Sequence, residues 1–227
     1  MKKNFEKTLL IVSILLTTKL FAASNVHLDK ANNDIYNQAS LQNGANLFMN
    51  YCFGCHSISF MRYERIAEDL NIPKDLMRKN LMFTDAKIGD KVISAINTEK
   101  AKEFFGVTPP DLSLVARYKG VDWIYTFLRS FYKDDSKPFG VNNHIFNSTA
   151  MPNILWALKK DSTPSKYNNH VRDIVNFLDY VGEPVKIKRV WLGIKVLIFL
   201  VVLLLLTYLL KKEYWKDVHY GKWRQKD

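Results

Sequence analysis

Ser40-Leu-Gln-Asn-Gly-Ala-Asn-Leu-Phe-Met-Asn-Tyr-Cys-Phe-Gly-Cys-His56 is the stretch from which the rest of the chain is read. Its last five residues, Cys52-Phe53-Gly54-Cys55-His56, form the C-x-x-C-H pattern of c-type haem attachment. Two thiols at that spacing can add across the two vinyl groups of one haem. The imidazole that follows is then held under the iron as an axial ligand. These are the only 2 cysteines among 227 residues, so no thiol is left over for a disulfide. A redox C-x-x-C pair would want a βαβ context, and structural zinc would want four ligands. Neither surrounds this motif. The expected cofactor is one covalently bound haem c, held at Cys52, Cys55 and His56. Upstream, Leu41, Ala45, Phe48 and Cys52 recur at helical spacing behind Ser40, a residue suited to cap the helix that delivers the chain to the haem.

Charge and hydropathy divide what lies outside this stretch. The chain carries 33 Lys+Arg against 22 Asp+Glu, a formal +11, which invites a nucleic-acid reading. The charges are distributed against it: residues 1–22 carry +3, residues 23–189 carry +4 and residues 190–227 carry +4. More than half the excess sits in the two end segments, beside apolar runs suited to export and to a membrane span, so nucleic acid is set aside. At the start, Met1-Lys2-Lys3 with Lys7, an apolar run from Thr8 to Thr18, and small residues at Ala22, Ala23 and Ser24 read as an export signal over 1–22. At the far end, Trp191 to Leu210 is almost wholly apolar, about the 20 residues needed to span a bilayer core. Lys211 and Lys212 follow at once, with Lys216, Lys222, Arg224 and Lys226 beyond, the sign expected of a cytoplasmic tail over 211–227. The expected layout is a signal peptide (1–22), an exported haem domain (23–189), a transmembrane anchor (190–210) and that tail.

Within the exported part, Val171, Ile174, Val175, Leu178 and Val181 make a second amphipathic stripe, ended by Gly182 and Pro184. A third helical stretch runs from about Val121 to Phe131, with Ile124, Phe127, Leu128 and Phe131 inward. No run of alternating strands and no internal repeat is visible. Residues 70–118 and 133–170, rich in Pro, Asn, Asp, Lys and Ser, suit long loops around a cofactor. Gly44 with Phe48 on the first helix, and Phe177 and Tyr180 on the last, resemble the crossing terminal helices of class I cytochromes c. The expected fold is mostly α: a class I cytochrome c-like haem domain with long loop insertions, plus one C-terminal transmembrane helix.

A haem has a second face. Met49 and Met61 lie too close to the attachment motif to cross to it, which leaves Met77, Met82 and Met151, with His144 and His170 as alternatives. Met151 precedes Pro152, which biases it to extended backbone on a stiff loop. A thioether there raises the haem potential relative to bis-histidine ligation.

The chain resembles the cytochrome c1 family, the haem subunit of the ubiquinol–cytochrome c reductase (cytochrome bc) complex. The resemblance rests on Cys52-Phe-Gly-Cys-His-Ser57 followed by Phe60-Met-Arg-Tyr63, and on Thr108-Pro-Pro-Asp-Leu-Ser113 leading to Ala116-Arg117. Gly120-Val-Asp-Trp123, Ala150-Met-Pro152, Gly182-Glu-Pro184 and the single C-terminal anchor also match, in the same order. It implies His56 and Met151 as the axial pair and Arg117 beside a haem propionate, where a guanidinium makes charge-assisted hydrogen bonds. It implies one-electron relay from a Rieske iron–sulfur protein to a periplasmic or membrane-bound cytochrome c, beside a cytochrome b subunit in the bacterial inner membrane, with the haem domain in the periplasm. The chain itself is expected to carry out no bond chemistry on substrate. Family members often dock a basic cytochrome c on an acidic face. An exported segment at +4 points to a locally clustered acidic face or a different partner. Two other readings stay open: an anchored cytochrome feeding a terminal oxidase directly, and a haem-based gas sensor. The first would want a flexible linker, whereas only about eight residues, Gly182 to Arg189, separate the last soluble helix from the membrane.

Overall fold

The computed structural model describes residues 26–219. The expected export signal over 1–22 lies outside the described residues. Helix α1 (Gln38–Tyr51) ends at the attachment motif, and a long helix α8 (Pro164–Gly182) closes the haem domain. Between them run β1 (Ile58–Arg62), α2 (Tyr63–Asp69), α3 (Lys74–Asn80), β2 (Lys91–Val92), α4 (Thr98–Phe105), α5 (Val115–Lys119), α6 (Val121–Arg129), β3 (Phe131–Lys133), β4 (Val141–Asn143) and α7 (Trp156–Lys160). A last helix, α9, spans Lys186–His219.

The crossing of α1 and α8 is the centre of the domain. Leu41, Ala45 and Phe48 on α1, and Val171, Ile174, Val175, Phe177 and Leu178 on α8, are buried against one another. Phe48 and Phe177 meet with ring centroids 5.6 Å apart. Close approach is possible because Gly44 has no side chain: a Cβ there would lie 2.0 Å from the Asp173 carbonyl oxygen. A polar seam borders the crossing. Asp173 accepts from the Ser40 hydroxyl at 2.6 Å and from the Asn43 amide at 2.6 Å, and the buried Asn176 donates to the Asp34 carbonyl at 2.7 Å. These bonds offset the cost of burying polar groups and fix the register of the two helices.

Several expectations need correcting. Ser40 does not cap α1: Asn37 does, its side chain accepting from the Ser40 amide at 3.0 Å. The Ser40 hydroxyl is drawn instead to Asp173 on α8. The third helical stretch stops at Arg129, because Phe131 pairs with Asn143 in the antiparallel β3–β4 ladder. A second small ladder joins β1 to β2 across a bulge. The expected loops over 70–118 and 133–170 hold short helices, α3 to α5 and α7, and the start of α8; of the short four only α4 has a side-chain cap, Asn97 accepting from the Lys100 amide at 2.9 Å. The helical part of the apolar segment begins ahead of the expected span, at Lys186. Only Glu183, Pro184 and Val185 separate α8 from α9. The join is clamped by Lys186 to Asp179 at 3.0 Å and by an Arg189–Glu183 ion pair.

One helix among the described residues is long and apolar enough to cross a membrane, and its apolar stretch is exposed throughout. None of the buried cluster lies beyond Val181, so α9 takes no part in the haem domain's core.

Candidate haem-binding site

Cys52 is the C-cap residue of α1, its N–H donating to the Phe48 carbonyl at 2.8 Å. The next turn closes on it: the amides of Cys55 and His56 both donate to the Cys52 carbonyl, at 3.1 and 2.9 Å. A helix end followed by a tight turn therefore carries two thiols and an imidazole on one short stretch of backbone. Neither thiol is in a disulfide. Burial, with the neighbouring Cys55 adding to it, pushes the Cys52 thiol up to about 12. Redox C-x-x-C pairs need the opposite, a thiol pKa pulled down towards neutrality. Among the described residues no three His, Cys, Asp or Glu side chains gather as a metal cage would require, so the zinc reading finds no ligands either.

The imidazole is oriented by the Thr108–Ser113 segment. The Nδ1 atom of His56 lies 2.8 Å from the Pro110 carbonyl oxygen. A carbonyl only accepts, so Nδ1 carries the proton and Nε2 keeps its lone pair, the arrangement that fixes a metal-binding histidine. Burial lowers the His56 pKa, against the hydrogen bond to Pro110 and the nearby Asp111 charge, which raise it; the net effect favours the neutral ring that a metal needs. The segment is stitched alongside the motif. Leu112 N–H donates to the Ser57 carbonyl at 2.8 Å, and the Asp111 carboxylate accepts from the amides of Ser59 at 2.9 Å and Ser113 at 2.8 Å. The Ser113 hydroxyl accepts from the Phe60 amide at 3.1 Å. Burial alone would raise the Asp111 pKa, but the bonds from Ser113 and Ser59 outweigh it and hold the carboxyl below its ordinary value. On the other side, Ser94 donates from its hydroxyl to the Gly54 carbonyl at 3.0 Å and from its amide to the Ser57 hydroxyl at 2.9 Å. Pro110, Asp111 and Ser94 thus hold the motif in shape. Spacing alone could not assign them these roles, since each is far from the motif in sequence.

The methionines separate by burial. Met49, Met61 and Met77 are core residues. Met77 on α3 is wholly enclosed and is no longer a ligand candidate. Met82 and Met151 are only partly buried against the core. Met151 lies at a bend ahead of Pro152 rather than in the extended chain expected of it, its amide donating to the Thr149 hydroxyl at 3.3 Å. Of the histidine alternatives, His144 is exposed and stacks on Tyr132 at 4.3 Å between ring centroids. His170 lies on α8 with its Nδ1 atom buried and unpaired. Arg117, on α5, places its guanidinium 4.0 Å from the Glu183 carboxylate, and the side chain is mostly exposed. The donor set around Cys52–His56 fits a haem of the c type.

Comparison with known proteins agrees. The cytochrome C1 family model matches residues 29–218. The chain belongs to that family. A cytochrome c1 of Allochromatium vinosum is 45% identical over 94% of this chain and 100% of its own length. The ammonia monooxygenase gamma subunit of Nitrosomonas europaea is 43% identical over 92% of this chain and 97% of its own length. The mitochondrial cytochrome c1 haem protein of Neurospora crassa is 27% identical over 79% and 63%. Membership makes this a mostly helical, electron-transferring haem protein with a covalently bound haem c, and among the described residues α9 is the one helix that fits a transmembrane anchor.

Proposed function

We propose that the chain is the anchored haem subunit of a quinol-oxidising cytochrome bc complex, relaying single electrons from a Rieske iron–sulfur protein to a cytochrome c in the periplasm. When bound, haem c supplies a one-electron Fe(III)/Fe(II) couple at a potential set by its axial ligands. Cys52 and Cys55 would hold the group covalently, His56 would offer Nε2 to its iron, and Met151 would offer its thioether as the second ligand. Arg117, held only at 4.0 Å by Glu183, retains N–H donors for a propionate. The observation that carries the reading is the His56 Nδ1–Pro110 bond of 2.8 Å, because it orients one ring nitrogen as a metal ligand beside two free thiols.

Residues 1–22 serve as the signal peptide, 23–189 as the periplasmic haem domain, 190–210 as the membrane span and 211–227 as the cytoplasmic tail. The join of three residues between α8 and α9 supports a fixed subunit over a long-range shuttle to a terminal oxidase. With the exported segment at +4, the electron acceptor either docks on a locally clustered acidic face or is a more acidic or membrane-bound cytochrome.

Met151→Ala should leave haem attachment intact and lower the reduction potential sharply, read by redox titration; an unchanged potential would sink the ligand assignment. Native protein in the reduced state should bind little CO, whereas strong CO binding would favour a sensor. Co-purification with a b-type haem and an iron–sulfur signal is expected. Co-purification with monooxygenase polypeptides instead would move the chain to the kind of assembly named for the Nitrosomonas relative.

A further inference from the structure

Asn142 and Asn143 are each 2 % exposed, and their side-chain hydrogen bonds run to residues between 127 and 148. Two adjacent buried amides are costly unless their donors and acceptors are met. Here they are met within a few residues. The Asn142 amide nitrogen donates to Asp134 Oδ2 at 3.0 Å and to Asn147 Oδ1 at 2.8 Å. Its carbonyl oxygen accepts from the amides of Ser148 at 2.9 Å and Asn143 at 2.8 Å. The Asn143 amide nitrogen donates to the Phe127 carbonyl at 2.8 Å. Its oxygen accepts from the Ser130 hydroxyl at 3.0 Å and from the amides of Ile145 at 3.0 Å and Phe146 at 3.3 Å. The pair ties the end of α6 and the β3–β4 turn to residues 145–148, which carry no regular structure of their own. Ser148 leaves the knot at a left-handed φ of 59°, a conformation that L side chains avoid unless held. Three residues later the chain reaches Met151.

We propose that Asn142 and Asn143 are positioning residues for the Met151 thioether, fixing the take-off of the loop so that the sulfur is presented to the sixth coordination position. The inference rests on the Met151 reading above. An iron–thioether bond is weak. A loop free to wander lowers the local concentration of its own ligand and with it the occupancy of the bond. Ordinary scaffolding would affect melting alone; positioning also moves the spectrum and the potential.

The test uses the full chain in membranes or in its purified complex. Asn142→Asp replaces the donating amide by a carboxylate facing Asp134, while the acceptor side towards Ser148 remains. The expected result is loss of the far-red sulfur-to-iron charge-transfer band, a lower potential and a roughly tenfold gain in CO affinity of the ferrous protein, equivalent to about 1.4 kcal/mol. Adding Asp134→Asn reverses the polarity of the broken bond and should restore all three. Retention of band and potential in N142D, in a preparation where Met151→Ala loses both, overturns the positioning role and leaves the ligand assignment standing. Retention of both in Met151→Ala overturns the ligand assignment itself. If N142D does not accumulate, Asn147→Ala removes only the exposed acceptor of the same amide. It should weaken the band to a smaller degree, and an unaltered band there also overturns the proposal.

Discussion

A Cβ on Gly44 would stand 2.0 Å from the Asp173 carbonyl oxygen and 2.8 Å from the Phe177 Cβ, both on α8. Backbone cannot swing aside as a long side chain can, so the two helices would have to separate. Alanine gains roughly 1 kcal/mol of helix propensity over glycine, but overpacking a close crossing costs about 1–3 kcal/mol and more where the obstacle is main chain. Gly44→Ala should therefore lose about 2 kcal/mol net, checked by denaturant unfolding of the haem-loaded protein. A gain in stability would mean that α1 and α8 cross less closely than this. The same residue-by-residue reading disposes of Met77. Its spacing from the motif admitted it as a ligand, and only its complete enclosure in the core removed it.

At the scale of elements, α6 and α8 are joined by a buried tyrosine. Tyr167 on α8 donates from its hydroxyl to the Leu128 carbonyl on α6 at 3.1 Å. Burial pushes its pKa up from an ordinary 10.0 to about 12, with Arg129 opposing. The unfolded tyrosine loses its proton first. This contribution to stability is therefore complete below pH 10.0 and is lost as pH rises towards about 12. Unfolding midpoints measured from pH 9 to 12 should fall, and Tyr167→Phe should flatten part of that fall. Tyr180, raised by burial and by the nearby Asp69 carboxylate to which it donates at 2.9 Å, accounts for some of the remainder. The amphipathic stripe of α8 is plain in sequence. Its hydrogen-bonded partners are not, because each lies about 40 residues or more away in the chain.

At the scale of the molecule, the haem domain and the anchor are covalently close and energetically separate. The core ends at Val181, and the anchor helix contributes ion pairs at the join. Pairs so near the surface are worth no more than about 1 kcal/mol each. A chain ended after Pro184 should be released from the membrane as a folded haem protein, with the reduction potential of the full chain and nearly its unfolding midpoint. A large drop in either would show that α9 braces the haem domain. The clamp from Asp179 and Glu183 then holds the direction in which α9 leaves α8 more than it stabilises the domain.

The chain order by itself pointed to the haem, with Cys52, Cys55 and His56 as its expected attachment residues, and determined the apolar tail helix and the two amphipathic helices. Each of these is written in local spacing: two cysteines and a histidine within five residues, a 3.6-residue stripe, or an unbroken apolar run. The family resemblance added Met151 and Arg117 as expectations, through short motifs kept in order. Only the tertiary structure decided that Asn37 caps α1, that Pro110 orients His56, and that Asn142 and Asn143 knot the loop leading to Met151. Those roles depend on hydrogen bonds between groups that chain spacing does not bring together. A carbonyl offered from residue 110 to a ring at residue 56 leaves no periodic trace in either segment.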